Sequence, residues 1–462
     1  DYSTGILSAR GMGPSFPMIP YADAALRNLR FAETSQYDAQ KICLQRGLDL
    51  SLGGIFDHVG GGFHRYTVDS SWTVPHFEKM LYDNGQIMEY LANLWAIGFQ
   101  EPAFDRAINL TVQWLQREMT APQGYFYAAQ DADSFAEVTE AEPEEGAFYV
   151  WDYDHLATWL PPEELAALSD QFTLSSQGNF EGFNVLQRRQ PGDLNDALEV
   201  TLQKLFTVRY GAVASDLVTF PPARNNQEAK STPWRGRIPP VTDTKMIVAW
   251  NSLMISGLAR AAAVFERSSY LAFATQAAQF ILAHQWVEGR LQRVNYDGQA
   301  TVLAQAEDYA LFIKALLDLQ QVERDSANSW LQQAMQVQEE FDEFLWSVEF
   351  GGYYNTASDA SRDLLIRERS YMDSATPAAN GVAIANLIRL ALLTENLEYL
   401  DKAEQALQSF SSVMHSTPQA CPTLFAALDW FHHHTLIRTA GDRWTALQHQ
   451  YLPTAVCQCT TE

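Results

Sequence analysis

The chain has 462 residues, 47% of them hydrophobic and 19% charged, with a formal net charge of −25 at pH 7. This is a globular composition, and its acidity argues against nucleic acid or an anionic membrane surface, which select a basic footprint. Cys43, Cys421, Cys457 and Cys459 are too few and too unevenly spaced for a disulfide framework. No run is read as reaching the ~18 apolar residues of a membrane helix, and no secretory leader is read at the start. A soluble, cytoplasmic protein with no membrane partner is expected. Twelve Trp, 19 Tyr and 25 Phe are a heavy aromatic load, which fills cores and also lines small-molecule pockets.

In chain order, residues 1–20 carry Gly5, Gly11, Gly13, Pro14, Pro17 and Pro20 and read as an irregular lead-in. From Tyr21 to Leu52 the pattern is helical, with a break near Thr34–Asp38. Gly53 to Ala92 then packs His58, His64, Arg65, Trp72, His76, Glu78, Lys79, Tyr82, Asp83 and Asn84 into one segment with six glycines. Such a stretch reads as a site rim, or as an ordered loop whose polar groups satisfy one another. After Pro75 the apolar positions Phe77, Leu81, Ile87, Met88, Leu91, Leu94 and Trp95 have helical spacing in two segments. Phe104–Met119 is a second amphipathic helix. Residues 137–146 are an acidic exposed loop, Asp193–Tyr210 is helical, and 211–242 is the longest loop.

Beyond it, Asp243–Phe265, Tyr270–His284, Ala306–Arg324, Asn328–Trp346, Pro377–Thr394, Leu397–His415 and Pro422–His434 read as helices. Residues 451–462 are a tail, and the Cys457–Gln458–Cys459 pair reads as a frayed end or, alternatively, a metal or redox pair. Strand signals are few, so the class is all-α. Helices run repeatedly into Gly-aromatic turns (GGIFDHVGGGFHRY, QGYFYAAQDADS, FGGYYNTASDAS). Other helices open on a polar marker, Asn84, Asn251, Asp308 or Asn380, and continue with small and apolar residues. Units of this size that recur imply a closed or stacked array. The reading is one domain over 1–462: an (α/α) toroid of about six to seven helical hairpins, its Gly-aromatic turns gathered at one end of a central cleft. An open α-solenoid is the alternative.

GGGFHRYTVDSSWTVPHFEKMLYDN, YFYAAQDADS, EGAFYVW, VAWNSLMISGLARA, EDYALFIKALLDL, GGYYNT and SATPAANGVAIANLIRLA, in this order, resemble the C-terminal region of the spermatogenesis-associated protein 20 family, whose bacterial members are thioredoxin-domain-containing proteins. The resemblance implies a fold similar to six-hairpin toroids, including N-acylglucosamine 2-epimerases and several glycosidases. It also implies an N-terminal thioredoxin-like domain as a companion. This chain shows no CxxC and no alternating strand–helix start, so redox chemistry is not assigned to it. The epimerases' catalytic motifs do not map onto the chain, and none of their residues is carried over.

Epimerase or isomerase chemistry moves a proton next to a carbonyl, which needs an acid and a base with pKa near the working pH, and histidine suits both. His64 and His76 are the candidates, each with a structural hydrogen-bonded role as the alternative. Arg65 can hold an anionic oxygen. A glycoside hydrolase needs two carboxylates, which Glu78, Asp83, Asp131, Asp133 and Glu307 can supply. Alternatively the Asp residues cap turns and helices, and Glu78 and Lys79 pair with each other or with Arg65. Trp72, Tyr82, Trp250 and Tyr309 suit stacking on sugar faces or the core. Asn251, Asp308 and Asn380 orient hydroxyls or cap helices. His432, His433 and His434 are consecutive and cannot all face one ion. No metal and no cofactor is expected, and GGGFH lacks the Lys-Ser/Thr of a phosphate loop. The expectation is a carbohydrate-active toroid with isomerase or epimerase chemistry on a small sugar. A hydrolase, or a non-catalytic binding module working with a thioredoxin-like domain, stands as the alternative.

Overall fold

The computed structural model describes residues 13–31, 38–323, 329–360 and 366–460. Gly5, Gly11, the break at Thr34 and the helix ends at Arg324 and Asn328 lie outside the described residues. Where the sequence reading takes 1–462 as one domain, the chain's contacts fall into two compact units.

The first unit comprises Asp1–Pro17, Lys41–Asn84 and Phe99–Thr244. Its glycine-rich stretch is ordered by pairing. Pro75–His76 pairs antiparallel with Tyr66–Thr67, and Lys79–Met80 pairs with Ala129–Gln130, which pairs in turn with Thr242–Asp243. The helix expected just after Pro75 therefore begins only at Leu81 and runs to Ile97; residues 75–80 give their backbone groups to partners elsewhere instead. Helix Pro102–Glu118 opens on a proline at its first turn, with the Glu101 carboxylate accepting from the Ala103 amide at 3.1 Å. Helix Asp196–Tyr210 is capped by Asn195, accepting from Leu198 at 2.8 Å, and ends on left-handed Gly211. The core gathers Phe77, Phe148, Trp151, Phe172 and Leu205. The stretch 211–242 holds a helix, Asn226–Ser231, and a small apolar cluster of Phe135, Ala223, Ala229 and Ile238. It is packed rather than structureless.

The second unit comprises Met18–Gln40, Gly85–Gly98 and Lys245–Glu462. Helices Val248–Phe265, Ala306–Val322, Ala379–Thr394, Pro422–His433 and Ile19–Asn28 pack in succession, each on the next. Helices Ser268–His284, Trp330–Leu345 and Leu397–Ser416 back the first three. This is the inner–outer alternation that the small-residue helices imply. Gly257 lets the Val248 helix meet the Gly85 backbone, since a Cβ there would lie 2.2 Å from the Gly85 carbonyl oxygen. Val248–Phe265 is, against the sequence expectation, long and apolar enough to cross a membrane, and 78% of it is buried inside the protein. Helices that are apolar all round belong to cores as well as to bilayers.

Two strand pairs escaped the periodicity. Arg290–Tyr296 and Gln299–Leu303 form a hairpin across Asp297–Gly298, and Thr435–Ala440 pairs in parallel with Ala455–Thr460. The second pair corrects the frayed tail: Cys457 is 4% exposed within it, and burial raises its thiol pKa.

Candidate functional site

Two Gly-aromatic turns are built alike. In the first unit, Gly61 and Gly62 take φ of 80° and 85°, which side chains resist. Asn84 then holds Phe63 by both backbone groups: its Oδ1 accepts from the Phe63 amide at 2.7 Å and its Nδ2 donates to the Phe63 carbonyl at 3.1 Å. Lys79 donates to the Gly61 carbonyl at 2.7 Å. In the second unit, Gly351 and Gly352 have φ of 81° and 78°. Asn380 holds Tyr353 at 2.7 and 3.0 Å, and Arg369 donates to the Gly351 carbonyl. Asn380 is thus a buried clamp rather than a sugar-binding group, and Asn84 is its counterpart.

Beside the first turn lies a polar cluster. His76 stands between two carboxylates, its Nδ1 2.7 Å from Glu145 Oε1 and its Nε2 2.8 Å from Glu78 Oε1. Glu78 also pairs with Arg65 at 3.5 Å, and Arg65 is hydrogen-bonded to the Tyr82 hydroxyl, whose pKa burial pushes up to about 12. Asp83, next along the chain, is 3% exposed, and its Oδ2 takes no hydrogen bond. Burial lifts its carboxyl well above the usual range; Arg65 opposes the shift and Glu78 adds to it. Asp131 and Asp133 are exposed and form a turn in which Asp131 Oδ1 accepts from the Asp133 amide at 3.2 Å. Asp133 is also raised, by burial and then by Asp131 and Glu145. Arg65, His76, Glu78, Tyr82 and Asp83 therefore come together, with the Asp131–Asp133 turn within electrostatic reach.

Other expected site residues are elsewhere. His64 is 2% exposed, edge-on to Phe77 and Tyr149, with Nδ1 2.9 Å from the Phe77 carbonyl oxygen. Burial, with Lys79 adding, lowers its pKa to about 3, so it stays neutral and is no rim base. Lys79 is fully buried and pairs with Asp57 at 2.9 Å, and Asp57 also accepts from Arg209 at 2.7 Å. Trp72 is 4% exposed, with Arg46 over its ring at 4.9 Å. In the second unit, Trp250 is half-buried and Asn251, fully buried, donates to the Ile247 carbonyl at 3.3 Å. Glu307 pairs with Arg293 at 2.6 Å. Asp308 is fully buried, accepts from Gln305, Ala249 and Arg293, and is raised to about 6 by burial. Tyr309 stacks on Phe341 at 5.1 Å and gives its hydroxyl to Glu340. Asn251, Asp308 and Tyr309 thus take capping and core roles.

The sequence reading missed Asp57 and Arg209, which are 152 residues apart, and with them a buried group of Arg117, Glu118 and Tyr210. It also missed Glu145, which it took only as part of an acidic loop. Among the described residues no group of three or more His, Cys, Asp or Glu side chains forms a metal-ligand set. Chemically, the cluster offers a carboxyl whose pKa burial raises, an imidazole between carboxylates and a guanidinium able to hold an anionic oxygen.

The helix order and the clamped turns define a protein of the (α/α)-toroid class. The fold likeness is to the cellobiose 2-epimerase of Bacillus thermoamylovorans B4167: TM-score 0.52 and 9% identity, over 88% of this chain and 78% of that one. At that identity the likeness shows the fold alone. In sequence the chain is 33% identical to human spermatogenesis-associated protein 20 over 408 residues, 84% of this chain, and 34% identical to the rat protein over 414. The resemblance to the spermatogenesis-associated protein 20 family is shown by these matches, and the chain spans about half the length of the curated relatives it matches. No family model matches the chain.

Proposed function

We propose that this protein is a sugar isomerase or epimerase whose proton transfers use Asp83 and His76. The observation that carries the reading is Asp83: a buried carboxyl at the start of a helix with one oxygen free of any donor. A carboxyl held neutral at pH 7 can donate to a developing enolate oxygen. Both His76 ring nitrogens face carboxylates, so the substrate displaces Glu145 from Nδ1 and that nitrogen, its proton given up, takes the proton from carbon while Glu78 orients the ring. Arg65 holds the sugar's oxygens, and Asp131 and Asp133 border the cluster. The toroid fold and the aromatic load agree with a small carbohydrate as substrate. A thioredoxin-like domain in a longer chain, as the family resemblance implies, is a further part of this proposal.

A hydrolase is the second reading, and one observation favours it: Asp83 is raised while Glu78, near it, is tied to Arg65, a division of roles that glycoside cleavage also uses. The experiment is incubation with aldoses, ketoses, N-acyl sugars and short glycosides in D₂O, followed by proton NMR. Loss of the C2 proton signal supports the isomerase, and new reducing ends support the hydrolase. A silent panel with folded protein turns the reading to a non-catalytic binding module.

A further inference from the structure

The second unit encloses a cavity of about 230 Å³ that is separate from the residues invoked above. Six helices each turn one face to it: Ile19–Asn28, the Gly85–Ile97 part of Leu81–Ile97, Val248–Phe265, Ala306–Val322, Ala379–Thr394 and Pro422–His433. The lining positions recur at helical spacing, as at 311, 314, 318 and 321, or 382, 385 and 389. From Tyr309 to Leu317 every residue is buried except Lys314, from Ala379 to Ala391 every one except Ala385, and from Leu81 to Leu94 every one except Glu89. Solvent thus reaches the middle of helices that are otherwise core.

That face is polar at a cost. Lys314 donates to Glu89 at 3.0 Å and to Asp318 at 2.8 Å, and Arg389 donates to the other Asp318 oxygen at 2.8 Å. An ion chain set into a helical core is a poor route to stability compared with apolar packing, and here it lines a solvent-reached void instead of filling one. One wall is residues 447–457, anchored by Arg260, which donates to the carbonyls of Gln448 and Gln450 at 2.9 Å, and by Arg27, which donates to that of Pro453 at 3.0 Å.

We infer that this cavity is a second binding site, for an uncharged polyhydroxylated molecule the size of one sugar ring. The four charges of the chain cancel, Asp23 and Arg27 pair at 3.0 Å, and the remaining cation, Arg260, already gives its donors to Asn93 and to the Gln448 and Gln450 carbonyls, so no lining charge stands without partners to call for an ionic ligand. Side-chain donors (Lys314, Arg389) and acceptors (Glu89, Asp318) line the same cavity, which suits hydroxyl groups that both give and accept. The Trp430 ring on the Pro422 helix provides a flat apolar face. The inference does not depend on turnover at Asp83.

The test is calorimetric titration of the whole chain with D-glucose, D-mannose, N-acetyl-D-glucosamine and myo-inositol. Ala385→Leu and Ala426→Leu extend side chains into the void, and melting temperature reports on their folding. Binding of at least one probe is expected, weakened about tenfold or more in either filled variant whose melting temperature is kept or raised, and unchanged in Asp83→Asn. If no probe binds, if both filled variants bind like the parent, or if binding is lost only in Asp83→Asn, the inference is overturned. Failure of the Asp83 reading would appear separately, as absent turnover with this binding intact.

Discussion

The turns at Gly61–Phe63 and Gly351–Tyr353 share an asparagine clamp and a cation on the first glycine's carbonyl, yet the buried carboxyls beside them differ. Asp373, near the second turn, accepts from the Ala378 amide at 2.7 Å and from the Thr423 amide and hydroxyl at 2.8 and 2.7 Å. Asp83, near the first, keeps one oxygen without a donor. Burial raises both, but only Asp373 is compensated by hydrogen bonds. A carboxyl buried for structure is surrounded by donors; one buried without them costs stability, and that cost is common where chemistry needs a neutral acid.

The comparison can be broken most forcefully beneath the first turn. Asp57→Ala leaves Lys79 and Arg209 buried without their shared counter-charge, and chemical denaturation should show a loss of about 3–5 kcal/mol. No change would mean that water or another anion compensates the pair. Next come the clamps. Asn84→Ala and Asn380→Ala each strand buried backbone groups of an aromatic residue, and each should cost about 1–3 kcal/mol. A large loss from one and none from the other would end the claim that the turns are equivalent. Asp373→Ala should fall in the same range of about 1–3 kcal/mol, for the same reason.

An effect of comparable size is set by pH. His64 titrates near 3 in the folded chain and near the ordinary ~6.5 when unfolded. Between those values the unfolded chain binds the extra proton, so this contribution is intact above about 6.5 and is lost as pH falls toward 3. His58, lowered to about 3 by burial, acts in the same direction. Unfolding free energy against pH for the parent minus His64→Gln should have a slope of about 1.4 kcal/mol per pH unit between pH 6 and 4. A flat difference would mean that His64 is charged in the fold. The smallest stability effect belongs to Asp83→Asn, about 1 kcal/mol, while turnover on any substrate found is abolished.

Much of the architecture was readable because it is local. Helical periodicity placed most helices of the second unit to within a few residues; Val248–Phe265 starts five residues later than Asp243, where a short strand intervenes, and Gly441–Gln448 was not read as a helix. Glycine and aromatic spacing marked the turns. Arg65, His76, Glu78, Tyr82 and Asp83 were legible as a group because they lie within 19 residues and fold onto one another. What was not legible is nonlocal. Asn84 and Asn380 stood out, but their partners are backbone groups 21 and 27 residues earlier. Asp57 and Arg209 have no shared pattern at all. Nothing in the sequence separates His64, which is buried beside a lysine, from His76, which lies between two glutamates. The hairpin over Arg290–Leu303 did leave one signal, the Asp297–Gly298 turn.

The central claim is that Asp83 is a neutral acid at pH 7. Difference infrared spectroscopy of the parent against Asp83→Asn at that pH tests it directly. The account predicts that the variant loses a protonated-carboxyl C=O band. Loss of a carboxylate band instead, with no protonated band in the parent, would contradict it and remove the acid from the proposed reaction.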